Sequence, residues 1–208
     1  MIKSILNKKS IISLGATFLM VACATNDGVP QLVSSSAIQE QSEVTWNSLL
    51  ESRELSASVD LTQRFERVSS QLIAESNLAN EMWDIKLFKD SPSVFVLPGH
   101  QLGASETAIM AMSDDRLASM IAFGIASVEL RHSEQMISRH AAASLIPVFG
   151  NSEKAKLLKQ AQSIGPLPPT PAMRREATQR AEDIVTKAGF TPDFLVSTSP
   201  LNLGGPLK

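Results

Sequence analysis

The chain has 208 residues, enough for one domain with a substantial core, and its 19 basic and 21 acidic side chains leave a formal charge of −2. A balance this even, with no basic cluster interleaved with aromatics, excludes a nucleic-acid binder that works through phosphate contacts. The single cysteine, Cys23, excludes a disulfide within the chain, so the fold relies on its apolar core.

The N-terminus reads as an export signal. Lys3, Lys8 and Lys9 form a basic stretch ahead of Ile11–Ala22, an apolar run too short to span a bilayer. It ends in Met20-Val21-Ala22-Cys23, a lipobox with a small residue just before the cysteine. An incidental cysteine after an ordinary secretory signal and an uncleaved anchor are the competing readings. A lone cysteine directly behind the apolar run favours a bacterial lipoprotein, with residues 1–22 as signal peptide and Cys23 as the acylated first residue. Two or three acyl chains there, palmitate among them, would make anchoring stable. Ala24 rather than Asp follows, which in enteric-type sorting directs a lipoprotein to the outer membrane, facing the periplasm. Loss of the three signal lysines moves the formal balance from −2 to roughly −5.

Residues 23–43, rich in Ser, Gln and small polar side chains, read as a lipidated flexible tether. Val44–Asn80 predicts helix, with Leu61, Phe65, Val68, Leu72 and Ile73 on one stripe. Trp83–Phe88 and Val94–Leu97 read as short strands around a turn at Asp90-Ser91-Pro92, whereas Gln101–Thr107 is poor in β-formers. Ser113 is placed to cap a central helix, with Asp114 and Asp115 complementing its dipole; Pro147 and Gly150 end it at the latest. A helix over Asn151–Ile164, a Pro-rich connector over Gly165–Pro171 and an amphipathic helix over Ala172–Ala188, stopped by Gly189, complete the domain. The expected class is α+β: a mostly helical domain over residues 44–200 with a small sheet and two central helices facing a cleft, then a tail at 201–208.

Three segments carry a family likeness. Leu117–Ser138, LASMIAFGIASVELRHSEQMIS, resembles the active-site helix of the HtpX-like zinc metallopeptidases, the family that includes the CAAX prenyl proteases. Active members read roughly LAxVLxHEIAHVxxRHxxExxS there; Leu117, Ala118, Ile121, Ile125, Ala126, Val128, Arg131, His132, Ser133 and Ser138 keep the frame. Leu167–Pro192 is similar to the family's LPYSRxxExEADxxGxxxxxKAGYDP, anchored by Leu167-Pro168 and by Lys187–Phe190 with Pro192. Trp83–Gly99 resembles its Trp-led segment ending NAFxLPGG, matching at Phe95, Leu97, Pro98 and Gly99.

That resemblance implies a zincin-type domain whose chemistry has been removed. In the family, two His at i and i+4 reach one Zn²⁺ from one helical face, and the Glu between them takes the proton from the metal-bound water. Phe123, Gly124 and Ser127 stand at those three positions, Arg174 at the third ligand (a Glu in the family) and Thr178 at the supporting Asp. The family's arginine in that second motif gives way to Pro171. Phe has no lone pair, Gly no base, and Arg repels a cation. The resemblance therefore implies no catalytic residue and no bound zinc, where active relatives hold one. It also implies that Phe123 fills the space vacated by the metal, pointing at the second helix near Arg174 and Thr178. The family's substrate-pairing edge strand corresponds to the stretch after Gly99, where Gln101–Thr107 puts substrate binding in doubt as well.

Little else in the sequence rebuilds a site. His132 and His140 lie two turns apart in a continuous helix, Glu129 and His132 could meet at i,i+3, and His100 reads as an exposed loop residue. Ser105 lacks an identifiable base, and no Gly-x-Ser-x-Gly elbow exists. Met110, Met112, Met120 and Met136 read as core filler, and Arg174 and Arg175 as solvated helix charges. Two functional classes follow. The first is a pseudopeptidase lipoprotein of the cell envelope, a binding or regulatory module for another envelope protein or an active paralogous protease. The alternative is a divergent metalloendopeptidase or other hydrolase with relocated residues.

Overall fold

The computed structural model describes residues 34–91, 93–137 and 169–194. The elements run α1 (Ser35–Ser52), α2 (Val59–Ala74), β1 (Asp84–Phe88), β2 (Val94–Leu97), β3 (Gln101–Ser105), α3 (Glu106–Ala111), α4 (Asp114–Glu129) and α5 (Pro171–Lys187), with a further helical stretch at 132–137. The class is α+β, as expected. Cys23, His140, the helix expected at Asn151–Ile164 and the tail at 201–208 lie outside the described residues.

The sheet order is β1-β3-β2, with β3 parallel to β1 and antiparallel to β2. This corrects the reading of Gln101–Thr107. The stretch does form a strand, over Gln101–Ser105, and it is central rather than an edge. Leu102 and Ala104 face a main core shared with Leu87, Val94 and Val96, on which α2 and α4 pack. The other face carries Phe88, Phe95 and Leu97, under Trp46 and Leu49 of α1. Close packing at particular positions, rather than β-propensity, gives this strand its place. Gly103 shows this, because a Cβ there would lie 2.2 Å from the Phe95 ring.

Helix α1 begins at Ser35 and so crosses the boundary expected at 43/44. Ser34 caps it, and Ile38, Ser42, Trp46 and Leu49 recur at helical spacing and are buried. Polar composition hid that stripe. The β2–β3 connection is a three-residue loop, Pro98-Gly99-His100, between the paired Leu97 and Gln101. Its last residue must be left-handed, and His100 has φ 67°. The imidazole is not exposed as expected; its side chain is 14% accessible and leans on Trp83 with ring centres 5.4 Å apart.

Both central helices carry the caps expected of them. Ser113 accepts from Arg116 N–H, and Asp114 and Asp115 sit in the first turn of α4. At the end of α5, Gly189 has φ 85°, with Phe190 N–H donating to Val185 O and Gly189 N–H to Thr186 O. This is a Schellman closure, which only a left-handed residue at that position allows. Helix α4 ends at Glu129, well before Pro147, where Leu130 caps it and Arg131 turns left-handed at φ 57°. Met136 is buried and Met112 and Met120 are partly so, but Met110 is 63% exposed and fills no core.

Arg64 of α2 locks three elements together. Its guanidinium donates to Asp114 Oδ1 at 2.7 Å, to Ile109 O at 2.5 Å and to Met112 O at 2.6 Å, with Arg67 on the other Asp114 oxygen at 2.7 Å. Hydrogen bonds from Arg67 and then Arg64 hold the Asp114 carboxyl below its ordinary 3.8, against a smaller opposing effect of burial. A depressed folded pKa contributes stability that is present above pH 3.8 and lost as pH falls through the folded value. Asp114→Asn is expected to destabilise by about 0.5–1 kcal/mol at neutral pH, because the group is partly exposed. The gap in thermal midpoint between variant and wild type should narrow steadily below about pH 4, measured by circular-dichroism melts. A gap unchanged from pH 7 to 2.5 would contradict the assignment.

Candidate functional site

Helices α4 and α5 pack directly on each other. Small residues make this possible: Ala118, Ala122 and Ala126 on α4, and Ala177 and Ala181 on α5, are fully buried at four-residue spacing. Ile184, Val185 and Met173 complete the buried face of α5. The segment after α5 then returns across α4, with Thr191 N–H on Asp115 Oδ1 at 2.9 Å and Asp193 N–H on Ser119 Oγ at 2.7 Å. The two helices that carry the five singled-out positions are thus neighbours.

Those positions do not converge on a metal. Ser127 is buried, and its hydroxyl donates to Phe123 O at 2.8 Å, so it serves the helix backbone. Phe123 is half-buried and packs against the main core. Arg174 is exposed on the flank of α5 and donates to Pro169 O at 3.2 Å. Thr178, half-buried, donates back to Arg174 O at 2.8 Å. An open depression of about 410 Å³ beside them is lined by Pro171, Arg174, Arg175, Thr178 and Gln179, all from α5. Without a lone pair at 123, with the 127 hydroxyl committed and a cation at 174, this set does not fit Zn²⁺. Among the described residues no group of three or more His, Cys, Asp or Glu could hold a metal ion.

Gly124 adds something the sequence did not foretell. A Cβ built there would lie 2.3 Å from Val96 Cγ2 and 2.8 Å from Val96 Cβ. Strand β2 therefore rests on the helix backbone at the position where the resemblance places the general base. The glycine is a packing requirement.

The charged chemistry of this region lies one turn further on, around Glu129. Its side chain is 4% exposed, and it accepts from Arg180 Nε at 2.6 Å and Nη2 at 3.1 Å, and from Asn77 N–H at 2.7 Å. The Glu129 carboxylate raises the Arg180 pKa further, against burial, with Asp183 adding to the effect. The i,i+3 spacing would let Glu129 and His132 meet, but Glu129 pairs with Arg180. His132, almost fully buried, instead approaches Glu176 of α5, Nε2 to Oε2 3.6 Å. An isolated Glu and an isolated Arg 51 residues apart gave no sequence signal that they would pair.

Two substitutions test the seal at Gly124. Alanine normally favours a helix interior by about 1 kcal/mol over glycine. Gly124→Ala should nevertheless destabilise the protein by about 1–3 kcal/mol through the clash with Val96. Adding Val96→Ala should recover part of that loss, giving a measurable coupling in denaturant melts; additive costs would show that the contact is absent. Phe123→Ala is expected to cost about 2 kcal/mol, less than the ~3–5 of a fully enclosed Phe.

In comparisons with known proteins, no protein-family model matches the chain and no curated protein matches it.

Proposed function

We propose that this chain is a bacterial envelope lipoprotein whose zincin-type domain has lost its zinc chemistry and acts as a pseudopeptidase. Cys23 carries the lipid and residues 24–33 link it to the domain, which faces the periplasm from the outer membrane. Its role is that of a binding or regulatory module in envelope protein quality control, for another envelope protein or an active paralogous protease.

One observation carries this reading. Helices α4 and α5, the two segments with the strongest likeness to metallopeptidase motifs, pack side by side, and the positions of the ligands and base hold Phe123, Gly124, Ser127 and Arg174. The frame of the motif survives in residues that pack, such as Leu117, Ala118, Ile121, Ile125 and Ala126, all fully buried. What has changed is the part that would touch a metal. That is the pattern expected when packing is retained and chemistry is not.

The test has two arms. Purified protein should hold no stoichiometric zinc by elemental analysis and should leave casein intact, with or without added Zn²⁺. About one firmly held zinc per chain with chelator-sensitive cleavage would refute the pseudopeptidase assignment. Separately, Cys23→Ser should release the protein from membranes and abolish palmitate labelling; a variant that stays in the membrane fraction would refute the anchor.

A further inference from the structure

We propose that α1 is a dissociable strap, which lifts off the sheet as a unit while the rest of the domain stays folded. The sheet face beneath it is apolar on its flanking strands, at Phe88, Phe95 and Leu97, but polar or small along its central strand. Along β3, Leu102 and Ala104 point into the main core, whereas Gln101, Gly103 and Ser105 occupy the alternate positions on the α1 side. On β3 itself that alternation is the one expected of a strand with one solvated face. Here α1 covers the second face all the same.

The seam under α1 is incompletely satisfied. Gln101 is 7% exposed, and its Oε1 is buried with no hydrogen-bond partner among the described residues. It lies against Gly99, where an added Cβ would be 2.8 Å from the Gln101 amide and 3.0 Å from Ser42 Cβ of α1. Ser42 is itself buried, so one of the four inward positions of α1 is a serine facing a polar seam. A buried carbonyl without a partner opposes docking and regains water when α1 lifts.

The grip of α1 is local. Its apolar hold on the sheet is a small cluster of Trp46 and Leu49 with Phe88 and Leu97, separate from the main core, and its other buried apolar residue, Ile38, belongs to neither cluster. Its polar hold is Trp46 Nε1 donating to Asp84 Oδ2 at 2.6 Å, with Arg131 reaching Ser35 Oγ at the helix start. Nothing in α1 enters the core that α2, α4 and α5 build, so releasing it leaves that core intact. The chain preceding α1 leads to the N-terminus, which places the strap between that end of the protein and the domain. Tension applied there would favour the lifted state.

Hydrogen exchange on the full-length protein, read by mass spectrometry, tests this. Peptides from 35–52 should exchange together at least about 100-fold faster than those from 114–129, yet slower than an unfolded chain. Gln101→Met removes the unpaired carbonyl at similar size and should slow exchange in α1 about tenfold, leaving α4 unchanged. Trp46→Ala should bring α1 close to unfolded-chain rates, with protection in α4 retained. Equal protection of α1 and α4 in wild type would overturn the proposal, as would unfolded-chain rates in wild-type α1. So would loss of α4 protection in Trp46→Ala, or unchanged or faster α1 exchange in Gln101→Met.

Discussion

Strand β2 is pinned between two glycines, and the arrangement of the domain follows from that. On one side Val96 sits over Gly124 of α4; on the other the Phe95 ring sits over Gly103 of β3. A side chain at either position would force the sheet and helix apart, since packed interiors absorb added methylenes poorly. The first contact brings α4 against the sheet so tightly that no side chain fits at position 124. The second lets Phe95 fold down beside Phe88, the rings 6.3 Å apart and stacked, to form the platform on which Trp46 rests. Two absent side chains thus determine both faces of a three-stranded sheet.

Polar energy is concentrated at two nodes that join elements distant in sequence. Arg64 ties α2 to the end of α3 and the start of α4, and its partner Asp114 also complements the positive end of the α4 dipole. Glu129 closes the opposite end of α4 against α5 and the segment after α2. A charge as enclosed as Glu129 is tolerable only because donors from Arg180 and Asn77 share it, and its removal would strand Arg180 with Asp183 alone. Between them the two nodes fix the length and tilt of α4, while the alanine-lined contact with α5 sets its depth.

Much of this was legible in the chain itself. The stripe of Phe65, Val68 and Leu72, the Ser113 cap with its acidic first turn, the strand at Val94–Leu97 and the stop at Gly189 are local signals, and each appears where the residues put it. What escaped was non-local. Gln101–Ser105 has poor strand propensity and gains its place from neighbours on both sides. The inward positions of α1 include Ser42, so its stripe is diluted below notice. At the candidate site, the sequence showed the residue types at 123, 124, 127 and 174, none of which suits a metal. It could not show that Val96 occupies the ground above Gly124, or that Arg174 turns outward to Pro169, because both depend on how elements meet.

A sheet this small still has two edges, and they are treated differently. The outer side of β1 is closed by the segment before α2: Leu55 bridges Phe88, Ser56 N–H donates to Leu87 O, and Lys89 N–H donates to Glu54 O. The outer side of β2 has no backbone partner among the described residues. That open edge is four residues long and is bracketed in sequence by Pro92 and Pro98, neither of which can donate to an added strand. Short length and flanking prolines are how natural sheets keep an unpaired edge from templating growth. The protein therefore carries its own protection against edge-to-edge aggregation at the edge that the described residues leave unpaired.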